Sequence, residues 1–281
     1  NPCMRIGVFY FMEVYNLKKE GYIMGDYEKF KSDIYMLTKI DLNCYKERQM
    51  KRRIDSLITK CKISSYDEYV KALKSNKDML EEFVAYLTIN VSEFYRNPEQ
   101  WKLLENEMFP YLFERFGNNV KIWSAACSTG DEPYTLVMLL AKFISLNKIK
   151  IIATDIDKQV LEKAHVGIYD EKSLKGLPNE YVNKYFTKVG SRSYQISEDV
   201  KKCVEFKQHN LLKDPYPTNL DMIVCRNVMI YFTEEAKNVI YKKFNDSLKK
   251  DGILFVGSTE QIINPAESGF STYKSFFYKK D

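Results

Sequence analysis

The stretch IWSAACSTGDEPYTL, residues 122–136, decides the fold. An apolar, strand-like run, IWSA, leads into small residues around a lone glycine, Gly130. Asp131, Glu132 and Pro133 then open an apolar helical segment. Strand, tight turn and helix in that order form the first unit of an open, doubly wound α/β sheet. A turn that cradles phosphate needs several glycines and positive potential, because backbone N–H groups must reach an anion. Here two acids hold that place, which implies a ligand that lacks phosphate and is itself cationic. Thr129-Gly130-Asp131-Glu132 also fits a capping box, and Pro133 suits a first helical turn. A purely local role for Thr129 and Glu132 therefore stands beside the ligand role.

Outward from this unit the texture repeats. VKIWSA, KIIATD, CVEFKQ, LDMIVC and GILFVGS are short β-branched or aromatic runs, and PYTLVMLLAKFISL, KQVLEKAHV and EEAKNVIYKKFNDSL between them are helix-like. Such alternation predicts a mostly parallel sheet covered by helices, a Rossmann-like architecture. The closing YKSFFYKK reads as a last, antiparallel strand. YFTKVGSRSYQISEDVKKCVEF breaks the alternation and predicts an inserted β-subdomain at about residues 187–204.

Ligands of open parallel sheets bind outside the carboxyl ends of the strands, where strand order reverses. The second strand ends at Asp155, 25 residues past Gly130, where a carboxylate can accept from both ribose hydroxyls. ATDID offers two acids, so one can cap the next helix while the other binds. The third strand ends in QHNLL, with the Asn210 carboxamide suited to an adenine edge and the Leu211 N–H to a ring nitrogen. The fourth ends in CRNVMIYF, placing Cys225, Arg226, Asn227 and Tyr231 near the crevice, although Met229, Ile230, Phe232 and even Tyr231 also suit a core. An aromatic face stabilises a sulfonium or ammonium by roughly 0.5–2 kcal/mol. Acids, an amide and an aromatic together suit S-adenosylmethionine, which has a ribose, an adenine, a cationic sulfur and no phosphate. NAD fits less well, because GxGxxG is missing.

Composition bounds the remainder. A chain of 281 residues, 45% hydrophobic, can bury a substantial core in one or two domains. Its net charge of +5 is too mild for a nucleic-acid binder, so any basic partner surface is local. The six cysteines lie at least 17 residues apart and form no CxxC, and only two histidines occur. Zinc and multi-histidine metal sites are thus not expected, nor is a disulfide framework, and free thiols in a reducing cytosol fit better. No apolar run of about 18 residues exists to span a membrane. IGVFYFM near the start resembles a signal-peptide core, but Glu13 interrupts it, so residues 1–23 are expected to be an extension before a domain beginning near Met24.

Residues 27 to about 115 read as helical, with Phe30, Ile34, Leu37 and Ile40 at helical spacing. Between Lys39 and Lys62 eight basic residues face three acidic ones. Lys46, Arg48, Lys51, Arg52 and Arg53 fall on roughly two sides of one helix. The alternatives are a solvated face or a docking surface for an acidic helical partner.

YKERQMKRRI, LTINVSEFYRNP, WSAACSTGDEPYTL, ATDIDKQVLEKAHVGIY and DMIVCRNVMIYF together resemble the CheR-type chemotaxis receptor methyltransferases, over about residues 27–280. The resemblance implies S-adenosylmethionine-dependent methylation of glutamate side chains on bacterial chemoreceptors, with S-adenosylhomocysteine as product and no metal. It implies a helical docking domain over residues 24–97 and a cofactor-binding α/β domain over residues 98–281. By motif match, Asn90, Ser92, Arg96, Glu132, Asp155, Asn210, Leu211, Cys225 and Arg226 are cofactor positions. Ser92 stands where threonine is commoner, and Asp131 where glutamate is. Arg96 and Tyr231 match the pair nearest the transferred methyl; the alternative for Arg96 is a surface pairing with Glu93 or Glu99. Lys46, Arg48, Lys51, Arg52 and Arg53 become the receptor-docking set. The enzyme is expected to be a cytoplasmic monomer recruited to receptor arrays, with no nucleic-acid partner and no membrane insertion. Some family members hold a receptor's C-terminal peptide on the β-subdomain, but FTKVGSRSYQIS is short for that. The rival readings are a methyltransferase for another protein or a small molecule, and a non-catalytic module that binds S-adenosylmethionine.

Overall fold

The computed structural model describes Ile23 and residues 25–281. The extension expected over residues 1–23 lies, Ile23 apart, outside the described residues. Two compact units divide the chain between Ile89 and Asn90.

The first unit is helical: α1 Tyr27–Thr38, α2 Glu47–Lys60, α3 Tyr66–Ser75 and α4 Lys77–Thr88. Side-chain caps start three of them, with Asp26, Ser65 and Asn76 accepting otherwise unpaired N–H groups of the first turns of α1, α3 and α4. Phe30 and Ile34 are buried as their spacing predicts. Ile40 is buried too, although α1 has ended, because Lys39 turns the chain with φ of 61°. Phe30, Tyr66, Tyr69 and Phe83 form an aromatic core, with Phe30 and Tyr66 centred 4.8 Å apart.

In the second unit α5 Pro98–Leu103 and α6 Phe109–Phe116 precede a seven-stranded sheet. Its strands are β1 Ile122–Ser124, β2 Ile151–Asp155, β6 Val204–Gln208, β7 Leu220–Cys225, β8 Leu248–Val256, β9 Phe270–Lys274 and β10 Phe277–Lys280, in the order β6-β2-β1-β7-β8-β10-β9. Every pair from β6 to β8 is parallel. The helices α7 Asp131–Leu140, α8 Lys158–Val166, α9 Asn179–Tyr185, α10 Glu198–Lys201 and α11 Glu234–Ser247 fall between strands. All six residues of β7 are buried, as expected of a central parallel strand covered on both faces. From β1 the chain steps outward to β2 and β6, then returns to lay β7 on the other side of β1. The order reverses there, so the switch point lies between β1 and β7.

Two details differ from the sequence reading. The closing segment is a hairpin, β9 and β10, because Phe276 takes φ of 69° and breaks the run; β10 is antiparallel to β8 as expected. The small antiparallel sheet joins β4 Phe186–Lys188 and β5 Ser193–Ile196 to β3 Ile168–Asp170 in the order β3-β5-β4. Its first strand therefore precedes the 187–204 window, recruited by pairing Ile168 with Gln195. Local patterning carries no trace of that long-range pairing.

Candidate functional site

The turn after β1 is pinned to its neighbours by main-chain bonds: the Ala125 N–H donates to the Val224 carbonyl and the Cys127 N–H to that of Thr154. Gly130 has φ of 90°, and a Cβ there would stand 2.9 Å from the Ala164 Cβ. The single glycine thus serves a tight turn and the close approach of α8, not an anion. The capping box that the sequence also allows does not form. Gly130 itself is the N-cap of α7, with no side-chain cap bond. Thr129 donates its hydroxyl to Asp131 Oδ2. Glu132 accepts from the Ser124 hydroxyl at 2.8 Å and pairs with Arg226 at 3.5 Å.

Asp131 is buried, and Glu132 beside it is largely so. Burial pushes the Asp131 carboxyl up, against the hydroxyls of Thr129 and Ser92, which favour its ionised form. Burial likewise raises Glu132, opposed by Arg226. Asp155, at the tip of β2, is pushed up to about 6 by burial, although the N–H groups of Ser128 and Asp157 donate to it. The buried Cys127 thiol rises because of burial and then the nearby charges of Asp155 and Glu132. The potential at this turn is negative, so a diphosphate would meet carboxylates where it needs donors, whereas a cation would stabilise their ionised forms.

The two acids of ATDID divide their work. Asp157 caps α8, accepting from the Gln159 N–H at 2.8 Å, and takes the Asn90 amide at 2.6 Å. Among the described residues the Asp155 carboxylate accepts from the backbone N–H groups of Ser128 and Asp157, and a carboxylate with roughly four lone-pair positions keeps capacity for a further donor. Beside it, the Ser128 hydroxyl oxygen is buried with no hydrogen-bond partner among the described residues. A ribose carrying two hydroxyls fits both features, which supports the binding of S-adenosylmethionine at this end of the sheet.

Arg226, at the tip of β7, is 6% exposed and lies between the rings of Trp101 and Phe255, 4.9 Å from each centroid. Its Nη2 donates to the Arg96 carbonyl at 2.9 Å, to Gln100 Oε1 at 2.7 Å and to Asn97 Oδ1 at 3.3 Å. Trp101 Nε1 donates to the same Arg96 carbonyl at 2.8 Å. Residues 95–97 are thereby fixed in an unusual conformation, with φ of 57° at Tyr95 and 61° at Asn97. The Arg96 side chain stays partly exposed, with Nη1 3.4 Å from the Val91 carbonyl. Among the described residues it pairs with neither Glu93 nor Glu99; Glu99 instead pairs with Lys102.

The other candidate positions are more local. Asn210 Oδ1 accepts from the Leu212 N–H at 2.9 Å, which shapes the turn after β6, and the Leu211 side chain is buried. Cys225 is fully buried at the end of β7, where it pairs with Val256 of β8. Tyr231 is partly exposed in the short turn Met229–Tyr231, between the buried Met229 and Phe232. Asn90, Ser92, Glu132, Asp155, Arg226 and the Arg96 backbone thus belong to one connected set around the β1 turn.

On α2, Arg48 and Arg52 are exposed and one turn apart. Lys51 is tied to Asp55 at 2.9 Å and lies over the rings of Tyr27 and Tyr66. Arg53 donates to the Tyr86 carbonyl at 2.7 Å and stacks on the Tyr86 ring. Lys46 is the N-cap residue, with no side-chain cap bond.

Sequence reasoning passed over Gln100, Trp101 and Glu260. Glu260 follows β8 in GSTEQ and is 5% exposed. The rule that ligands gather at strand ends could have flagged it, since β8 borders β7.

No group of three or more His, Cys, Asp or Glu side chains able to hold a metal occurs among the described residues. No helix among them is long and apolar enough to cross a membrane. Cys61, Cys127, Cys203 and Cys225 carry free thiols.

Residues 90–276 match the family described as CheR methyltransferase, SAM binding domain, and residues 25–88 match its all-alpha domain. A chemotaxis protein methyltransferase of Listeria innocua is 43% identical over 241 residues, covering 86% of this chain and 92% of the relative. That of Borreliella burgdorferi is 36% identical, covering 82% and 85%, and that of Escherichia coli K12 is 33% identical, covering 82% of each. The chain belongs to the CheR methyltransferase family, and it is an S-adenosylmethionine-dependent protein-glutamate O-methyltransferase of chemotaxis.

Proposed function

We propose that this enzyme methylates glutamate side chains in the helical cytoplasmic region of chemoreceptors, working as a cytoplasmic monomer recruited to receptor arrays. The observation that carries the residue assignment is the buried acidic turn around Asp131, Glu132 and Asp155, with Arg226 as its interior counter-charge. In this reading Asp155 receives the ribose and Asn210 with the Leu211 backbone receives the adenine. Asn90, Ser92, Arg96, Glu132, Arg226 and the Cys225 main chain complete the cofactor pocket.

Bound S-adenosylmethionine supplies an electrophilic methyl on a cationic sulfur. A substrate glutamate, with a reference pKa of about 4.3, is already ionised near neutral pH, so no general base is required. When bound, the cofactor would give its methyl to one carboxylate oxygen, with the C–S electron pair retained by sulfur as a neutral thioether. The protein's task is alignment and exclusion of water, worth up to roughly 7–11 kcal/mol. Arg96 orients a carboxylate at the mouth of the site, and Tyr231 packs beside the methyl and fixes its approach.

Labelled methyl transfer from the cofactor to a purified receptor fragment tests this, with base-labile release of the label as readout. Incorporation that disappears when the receptor glutamates are changed to alanine supports the reading. Incorporation into another protein or a small molecule, but none into receptor, overturns it.

A further inference from the structure

The turn that carries Tyr231 is gripped by a carboxylate from a different strand end. Glu260 Oε2 accepts from the backbone N–H of Asn227 and, at 2.9 Å, from that of Gly257; its Oε1 accepts from Ile230 at 3.3 Å. The donors come from both sides: Asn227 and Ile230 belong to the turn after β7, and Gly257 directly follows β8. Asn227 is left-handed, with φ of 62°, which turns its N–H inward. Gly257 leaves the room, since a Cβ there would lie 2.5 Å from Glu260 Oε2 and 3.0 Å from the Asn227 nitrogen. The same carboxylate acts on its surroundings: its charge favours the protonated form of Glu132 and of the Cys225 thiol, and the charged form of Arg226.

We infer that Glu260 is a positioning residue for methyl transfer, holding the 226–231 turn so that Tyr231 faces the crevice. It acts through Tyr231, by way of the backbone it holds. A buried carboxylate taking several backbone N–H groups is a stiff, charge-assisted clamp, because each bond is stronger than its neutral counterpart. A glutamine in its place keeps the shape but presents an NH2 group toward N–H donors, so one side of the grip is lost. The inference rests on the role proposed above for Tyr231.

The test uses the full chain with Glu260→Gln, Tyr231→Phe and the double variant. Gly257→Ala is a second way to displace the carboxylate. Backbone hydrogen exchange is measured over residues 226–232, and kcat, KM and S-adenosylhomocysteine affinity are measured with a receptor fragment. Glu260→Gln and Gly257→Ala should each speed exchange in 226–232 at least tenfold. Each should also lower kcat at least tenfold while cofactor affinity changes less than threefold. In the Tyr231→Phe background, Glu260→Gln should lower kcat less than threefold further. Unchanged exchange in 226–232 overturns the clamp. So does protection lost evenly across the whole sheet, or a full multiplicative loss in the double variant. Normal kcat for Tyr231→Phe overturns the role of Tyr231 instead, and the exchange result then judges the clamp on its own.

Discussion

The turn after β1 is shaped by its own residues, whereas the turn after β7 is shaped by side chains that travel. In the first, Gly130, Ser128 and small neighbours set the bend, and main-chain bonds to β2 and β7, with the Asp155 carboxylate on the Ser128 N–H, hold it. In the second, Arg226 reaches across to residues 96–100, and Glu260 comes from beyond β8. Both flank the switch point. The difference separates a local device, written in consecutive residues, from a distributed one that exists only once the sheet has formed.

Removing the distributed device should have the largest effect. Arg226→Met keeps much of the apolar stem between Trp101 and Phe255 but leaves Gln100 Oε1 and Glu132 without their guanidinium. Breaking a buried pair from one side costs roughly 3–5 kcal/mol. Urea unfolding should register that loss, and methyl transfer should fall with it, since the 95–97 backbone is no longer held. A variant as stable and active as the parent would mean that the second turn is held by packing alone.

The local device should be less costly to damage. Gly130→Ala places a Cβ 2.9 Å from the Ala164 Cβ at φ of 90°. Strain of that kind costs roughly 1–3 kcal/mol. The melting temperature should drop accordingly, and cofactor affinity should fall with it because Asp131 and Glu132 follow directly. Equal damage from Gly130→Ala and Arg226→Met would erase the distinction between the two turns.

That distinction also explains what the sequence made legible. The β1 turn, the acid ending β2 and the alternation of strands and helices are local patterns, so the sheet and its acidic crevice could be read directly. That one acid of ATDID would cap the next helix was legible for the same reason, and the structure gives that task to Asp157. The capping box that Thr129 and Glu132 also allowed is absent because Thr129 serves Asp131 while Glu132 serves Ser124 and Arg226, partners that sequence offset does not reveal. Gln100, Trp101 and Glu260 went unread because each acts on a residue 33 or more positions away. The third strand of the small sheet was missed on the same ground.

The pH dependence of cofactor binding sharpens the comparison at the local turn. Burial holds the free enzyme's Asp155 at about 6, against an ordinary value of 3.8. A carboxyl raised by folding binds its proton more tightly in the folded state. Its contribution to stability is therefore greatest below the ordinary value and is lost as pH rises through about 6. A ribose that donates to the carboxylate favours the ionised form and lowers that value in the complex. S-Adenosylhomocysteine affinity should then be flat above about pH 6.5 and weaken up to roughly tenfold per unit below about 6, as linkage requires. Calorimetric titration across pH 5–8 measures this, and Asp155→Asn should bind more weakly with that dependence gone. An unchanged slope in Asp155→Asn would move the titrating group to Asp131 or Glu132.

The smallest effect belongs to α2, where the same contrast between committed and uncommitted side chains recurs. Lys51 and Arg53 are occupied within their own unit, by Asp55 and by Tyr86. Arg48 and Arg52 are exposed on one face. If the basic run docks an acidic receptor helix, the exposed pair should carry the attraction and the engaged pair should carry stability. Arg48→Glu with Arg52→Glu should therefore raise the KM for a receptor fragment several-fold at low salt. Exposed charge pairs are worth roughly 0.2–1 kcal/mol each and are screened over about 8 Å at physiological ionic strength. The increase should shrink as salt rises, while the melting temperature holds. Lys51→Glu with Arg53→Glu should do the reverse, lowering the melting temperature of the helical unit with a smaller change in KM. Identical KM shifts from both pairs would show that docking reads the net charge of α2, regardless of which side chains are free to reach out.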